Sequence, residues 1–264
     1  LCLTDSMIRG LASVIRFALT FLCLLLPVLG HADSLRIAVA SNFAYTLQTL
    51  LPAFEKATGH SVEVSSASSG KLYAQILHGA PFDVFLSADT DKPQRLAQKL
   101  SKQLSKQLPE TEPALFTYAI GRLVFWCPVK CEYPLSGITA NNQTIAIANP
   151  RLAPYGLAAQ QTMDAFGFTA AKVVTGENIG QAYRFIESGN AAAGFVAQSQ
   201  VITAKTSSDQ YWLIPDEHHQ PLEQAGILTA QGLNKPAAQA FVTYLLSTAV
   251  QARIAEHGYD PLYD

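Results

Sequence analysis

From residue 35 onward, short apolar runs alternate with segments whose apolar positions recur every three or four residues. Leu35-Arg36-Ile37-Ala38-Val39-Ala40 predicts a buried strand, and Ser41-Asn42 after it predicts a helix cap. Phe43, Leu47, Leu50, Leu51 and Phe54 then share one helical face. Pro52 should weaken or kink that helix by removing one backbone bond, and Gly59 should end it. Val62-Glu63-Val64 predicts a second strand, Ser65 to Gly70 a loop, and Leu72, Ile76 and Leu77 a short helix. Asp83-Val84-Phe85-Leu86 predicts a third strand. This β-α-β-α-β order implies a parallel sheet with helices on both faces.

A second alternating set begins near Leu123. Strands are predicted at Thr144 to Ala148, Val173-Val174, Gly194-Phe195-Val196 and Tyr211 to Ile214, with Pro215 to Glu223 as a polar loop. Gly226 to Thr229 predicts one more strand, and Phe241, Leu245, Leu246, Val250 and Ile254 a helical end stopped at Gly258. The fold class is therefore α/β, with two lobes that close by hinge motion about crossings near 119–124 and 225–230. The first lobe takes residues 33–120 and 228–264, and the second takes 121–227. A tandem Leu-Ser-Lys-Gln within 99–108 reads as a solvated helical face.

Composition narrows the class of partner. The chain has 264 residues, 49% of them hydrophobic, and a net charge of −2, so it has no basic surface suited to nucleic acid. A net negative chain is also poorly suited to drawing in an anion from a distance, so an anion site would have to work through short-range, directed donors. Ahead of the first strand, Arg9 and Arg16 precede an apolar run from Phe17 to Leu29 and the small residues around Gly30-His31-Ala32. The run is short for a bilayer span, and residues 1–32 read as upstream residues plus a signal peptide cleaved after Ala32. Secretion would bring the chain to an oxidising compartment, where Cys127 and Cys131 would form a local disulfide. A metal at that pair would need further ligands, and no His lies near it in sequence.

Three loops share one character: Ser41-Asn42, Ser68-Ser69-Gly70 and Ala153-Pro154-Tyr155-Gly156. Each follows an apolar strand, carries small or hydroxyl residues, and precedes a helix. Ligands of open α/β sheets bind beyond the carboxyl ends of the strands, where helix N-termini offer unpaired N–H groups and the positive end of a dipole. Simple helix capping is the plainer reading of any one loop. Enzyme signatures are weak. Ser69-Gly70-Lys71 resembles the end of a phosphate loop, but Ser65 stands where Gly is required and Leu72 replaces the Ser or Thr that holds magnesium. There is no Gly-x-Ser-x-Gly or His-Glu-x-x-His, His218-His219 reads as solvated surface, and Asp83 and Asp89 read as a turn and a cap.

Taken in order, several segments resemble the periplasmic molybdate-binding protein family. They are Ala40-Ser41-Asn42, Ala67-Ser68-Ser69-Gly70-Lys71-Leu72, Gln75-Ile76, Gly79-Ala80-Pro81, Asp83-Val84-Phe85 and Ser87-Ala88-Asp89. Asn149-Pro150 with Ala153-Pro154-Tyr155-Gly156, Glu177-Asn178-Ile179 and Gly194-Phe195-Val196 complete the set. The resemblance implies a two-lobed periplasmic binding protein of type II, each lobe a sheet flanked by helices with a cleft between. It implies a monomer that takes molybdate or tungstate without a cofactor or protein-bound metal and delivers it to the permease of an ABC transporter. By position, Ser41 would donate its hydroxyl and N–H, Asn42 a backbone or amide donor, Ser69 a donor from the second helix start and Ile179 its backbone N–H, while Tyr155 matches a position where some members use Tyr and others a small residue. Ala197 stands where some members carry a ligand-binding Tyr, a role Tyr155 would take over. The readings beside this one are the same fold holding sulfate or phosphate, a secreted α/β hydrolase and a ferric-ion binder. The hydrolase lacks a visible nucleophile–base pair, and the iron binder lacks a cluster of Tyr or His.

Overall fold

The computed structural model describes residues 34–104, 115–129, 140–168 and 170–262. The expected leader, Cys131 and residues 105–107 of the Leu-Ser-Lys-Gln repeat lie outside the described residues. No described helix is long and apolar enough to cross a membrane.

The first sheet holds β1 (Ser34–Ala40), β2 (Ser61–Ala67), β3 (Val84–Leu86), β4 (Leu115–Gly121) and the returning strand Leu222–Leu228, in the spatial order β2-β1-β3-return-β4. β1 runs parallel to β2 and β3, while the return strand runs antiparallel to both β3 and β4. α1 (Ala44–Thr58), α2 (Ser69–Leu77) and α3 (Asp91–Leu104) are the crossovers. α1 buries the predicted stripe of Leu47, Leu50, Leu51 and Phe54. Pro52 sits inside α1 on its exposed side, and the helix continues through it to Thr58. Gly59 then caps it at φ 74°, its N–H donating to the Glu55 carbonyl at 2.8 Å.

The second sheet is built the same way from β5 (Leu123–Trp126), β6 (Ala140–Ala148), β7 (Ala170–Gly176), β8 (Ala193–Ala197) and β9 (Tyr211–Leu213), in the order β7-β6-β8-β5-β9. α4 (Pro154–Ala165), α5 (Ile179–Glu187) and α6 (Gln198–Thr203) follow β6, β7 and β8. The returning strand is β10, and α7 (Pro236–Leu245) and α8 (Thr248–Glu256) close the chain against the first sheet.

The two crossings define the hinge. Arg122 alone separates β4 from β5, and residues 214–221 separate β9 from β10. The second crossing therefore comes before the 225–230 expected, because β10 begins at Leu222, where Glu223 and Gln224 interrupt its apolar pattern. Leu115–Gly121 was not among the predicted strands. The Arg122 guanidinium donates to Asp216 at 2.9 Å and Asp260 at 3.1 Å, tying the first crossing to the second and to the C-terminal segment.

Each sheet has its own core. Phe43 meets Tyr118 and Tyr259 edge-on at 4.8 and 5.4 Å, and Phe54 meets Phe241 at 5.5 Å. In the second lobe Phe125 meets Phe195 at 5.0 Å, and Trp126 stacks on Tyr183 at 4.8 Å. Phe241→Ala should destabilise the protein by about 3–5 kcal/mol, the ordinary loss for truncating a buried Phe, read as a lower midpoint in urea unfolding.

Candidate functional site

The strand directions decide where the loops meet. β1, β2, β3 and β4 all run toward one edge of the first sheet, and β10 starts from it. β6, β7 and β8 run toward the matching edge of the second sheet, where β5 starts. Both crossings join these two edges, so the carboxyl ends of the two sets of strands face each other.

At the first edge, Ser41 follows β1 and its N–H donates to the Ala67 carbonyl at 3.0 Å. That N–H, expected to reach a ligand, is taken by the neighbouring strand end; the hydroxyl is what Ser41 has left. Nor do Ser41 and Asn42 cap α1: the N-cap is Phe43, with no side-chain bond. Asn42 is buried and its side chain is engaged. Its amide donates to Gln224 Oε1 at 2.9 Å and to the Tyr259 hydroxyl at 3.4 Å. Its carbonyl accepts from Tyr259 at 2.9 Å and from Ser199 of α6 at 3.2 Å. Asn42 can offer only its backbone N–H.

Ser68 and Ser69 divide two tasks. Ser68 is the N-cap of α2 and accepts from Lys71 N–H at 3.4 Å. This frees Ser69, fully buried, whose Oγ accepts from Ala88 N–H after β3 at 2.9 Å. Asn178 likewise caps α5, accepting from Gln181 N–H at 3.0 Å. Ile179 is then the first helical residue, with an N–H for which the helix has no carbonyl. Beside it, Gly180 N–H donates to Ser41 Oγ at 3.4 Å across the lobes. Gly70 N–H donates to the Leu152 carbonyl at 2.8 Å, a further contact across the lobes.

Tyr155 is the second residue of α4 and is almost fully buried. Its oxygen accepts from Gln224 Nε2 at 3.3 Å. The helix can lie this close to β6 because residue 156 is glycine: a Cβ there would stand 2.4 Å from the Ala148 carbonyl oxygen. Burial pushes the Tyr155 phenol well above its ordinary range, and the nearby Tyr259 phenol adds to the shift. Tyr155 is therefore a neutral donor at any physiological pH.

Ser41, Ser69 and Tyr155 thus share one state. Each oxygen accepts a hydrogen bond from a protein N–H, and none has an acceptor for its own proton among the described residues. Ser41 and Asn42 line a cavity of about 470 Å³ with Gly180 and Ser199, and Ser69, Tyr155 and Ile179 are not part of its lining. Asn42 and Gln224 link that wall to Tyr155. Ala197 is the N-cap of α6, fully buried, with its N–H on Gln200 Oε1 at 2.9 Å, so it adds no hydroxyl. No group of His, Cys, Asp and Glu that could hold a metal occurs among the described residues. The lysine nearest the donors in sequence, Lys71, pairs with Glu177 across the rim at 3.2 Å. Both partners are half-exposed or more, so the pair contributes little.

Other sequence readings fare unevenly. Asp83 does more than hold a turn: buried, it accepts from Arg36 N–H at 2.8 Å and pairs with Lys235 at 3.0 Å. His219 is buried, and His218 packs on Phe166 at 4.4 Å, so this pair is not solvated surface. Sequence reasoning did not single out Gln224, Tyr118, Tyr259 or Ser199. A polar residue inside the apolar β10 was the one available signal, for Gln224.

Two α/β lobes with facing strand ends and a rim of neutral donors define a two-lobed solute-binding protein. The sequence profile of the bacterial extracellular solute-binding proteins matches residues 35–260. The molybdate-binding protein ModA of Azotobacter vinelandii is 36% identical over 242 residues, covering 89% of this chain and 93% of that protein. The ModA of Rhodobacter capsulatus is 36% identical over 227 residues, covering 84% and 86%. The solved Azotobacter vinelandii periplasmic molybdate-binding protein superposes with a TM-score of 0.76 at 35% identity, covering 86% of this chain and 98% of that one. The sulfate-binding protein SubI of Mycobacterium tuberculosis shares the fold, at 14% identity and a TM-score of 0.66. The chain belongs to the bacterial extracellular solute-binding proteins and, within them, to the ModA family.

The buried phenols set an alkaline limit. Burial pushes Tyr259 up to about 12, above the ordinary value of 10. The folded state then keeps a proton that the unfolded state loses, so stability is intact below pH 10 and falls as pH rises toward 12. Unfolding free energy should drop by about 2–3 kcal/mol across that window on account of Tyr259. In Tyr259→Phe that share of the slope should vanish from urea titrations run at stepped pH.

Proposed function

We propose that this chain captures molybdate or tungstate outside the cytoplasm and delivers it to the permease of an ABC importer, acting as a monomer and as a binder rather than an enzyme. Ser41, Asn42, Ser69, Tyr155 and Ile179 are the ligand-binding residues in this reading. Ser41, Ser69 and Tyr155 give hydroxyl protons, and Asn42 and Ile179 give backbone N–H groups. The leader reading of residues 1–32 and the kinship with ModA proteins support the compartment, the ligand and the importer. The observation that carries the site is the shared state of the three hydroxyls, each oriented by a protein N–H and each left with a proton to donate.

The physical logic is that of a dianion leaving water. Stripping its hydration is costly unless other donors replace it, and hydrogen bonds to a charged acceptor are roughly twice as strong as neutral ones. Donors from both lobes favour the closed arrangement, since only that arrangement makes every contact, and the importer would recognise it. No countercharge is needed, and no resident cofactor. Sulfate has the same charge and shape but is smaller, so cavity size would separate it from molybdate. Molybdate and tungstate are nearly equal in size and should bind alike.

Calorimetric titration with molybdate, tungstate, sulfate and phosphate should show tight binding of the first two. Tight sulfate binding without a molybdate response would reverse the assignment. Ser69→Ala and Tyr155→Phe should each weaken molybdate binding by about 1–3 kcal/mol, the usual effect of removing a donor from a buried acceptor. Unchanged affinity in both variants would place the site elsewhere.

A further inference from the structure

Gln224 lies on β10 at the facing edge, fully buried, and belongs to none of the three donor loops. Two donors converge on its carbonyl oxygen: Asn42 Nδ2 at 2.9 Å and the Tyr118 hydroxyl at 3.0 Å. The single Tyr118 proton is shared between this oxygen and the Ser87 carbonyl, also at 3.0 Å, so Asn42 is the donor that fixes the orientation of the Gln224 amide. With Oε1 facing these donors, the amide nitrogen is the end turned toward Tyr155, at 3.3 Å from its oxygen. An amide nitrogen only donates. The Tyr155 oxygen is therefore an acceptor toward Gln224, and its proton must point elsewhere.

A second observation concerns the space for this contact. A Cβ on residue 121, the last of β4 and next to the crossing, would stand 2.1 Å from the Tyr155 oxygen and 2.5 Å from Gln224 Nε2. The glycine at 121 makes room for the two side chains to meet.

We propose that Gln224 is a positioning residue for oxyanion binding: by donating to the Tyr155 oxygen it turns the phenolic proton toward the ligand, and through Asn42 it sets the first donor loop in the same register. The proposal rests on the ligand reading above and adds to it a residue that need not touch the ligand. Glutamine at this position is chosen for its polarity, with one acceptor end and one donor end. Glutamate has the same shape but, ionised, only accepts. It would draw the Tyr155 proton to itself and set a negative charge beside a dianion's site.

The test is a set of titrations with sodium molybdate on the full mature chain. At pH 8, Gln224→Glu should bind roughly tenfold more weakly or worse than wild type, the scale expected for a lost donor to a buried charged acceptor. As pH falls to 6 its affinity should recover, because burial raises the new carboxyl and protonation returns a donor to Tyr155. The other titratable groups around it are the phenols of Tyr118, Tyr155 and Tyr259, held neutral by burial, with the carboxylates of Asp89 and Asp260 acting on them through space. Wild type should be flat over the same range. Gln224→Met should weaken binding in the wild-type background and by less than about twofold in a Tyr155→Phe background, since coupled residues share one loss. Gly121→Ala should weaken binding with the same dependence on Tyr155, and stands in if a residue-224 variant does not fold by circular dichroism. Wild-type affinity in Gln224→Glu at pH 8, a pH-independent loss, or a full loss for Gln224→Met in the Tyr155→Phe background would each overturn the proposal. If wild type takes no molybdate, the ligand reading fails; if it does and the variants match it, only the role of Gln224 fails.

Discussion

A hydroxyl whose oxygen already accepts a protein N–H has its proton left to give. In this protein that constraint is met at Ser41, Ser69 and Tyr155 by an N–H from Gly180, from Ala88 and from Gln224. Each of these hydroxyls is thus oriented by a bond on its other side. Pre-aimed neutral donors can replace water around an anion without reorganising when it arrives, and without a lysine whose own desolvation would have to be offset. Much of the remaining architecture serves to bring these oriented hydroxyls to the facing edges.

Two features of the fold serve that end. Parallel strands deliver the loops after β1, β2 and β3 to one edge, and those after β6, β7 and β8 to the other. Separate caps then protect the donors from local use. Ser68 takes the capping bond of α2 so that Ser69 does not, and Asn178 takes that of α5 so that the Ile179 N–H does not. The capping reading holds for Ser68 and Asn178, and the residue after each is left out of the cap.

Between the lobes lies a buried polar chain: Ser199, Tyr259, Asn42, Gln224, Tyr118 and Tyr155. Buried polar groups are tolerable when their partners are complete, and here nearly every atom of the chain has one. Burial keeps the three phenols neutral, so they act as donors and acceptors of fixed polarity. Arg122, between Asp216 and Asp260, ties the two crossings to each other and to the C-terminal segment.

Apolar periodicity determined much by itself. The runs at 35–40 and 144–148 and the stripe from Phe43 to Phe54 mark buried faces that no other packing would satisfy, so the α/β alternation, the two lobes and the first crossing are legible without coordinates. The same logic misplaced the second crossing, because Glu223 and Gln224 interrupt the apolar pattern of β10, and it passed over β4. It also expected Pro52 to weaken or kink α1; the helix runs on through Pro52 to Thr58, its apolar face buried. Which donors are free is a different kind of fact. Ser41 loses its N–H to Ala67, and Asn42 loses its amide to Gln224, 182 residues away. Such pairings join residues with no local relation in the chain. Periodicity encodes which face is buried, whereas only the folded chain decides which proton is left over.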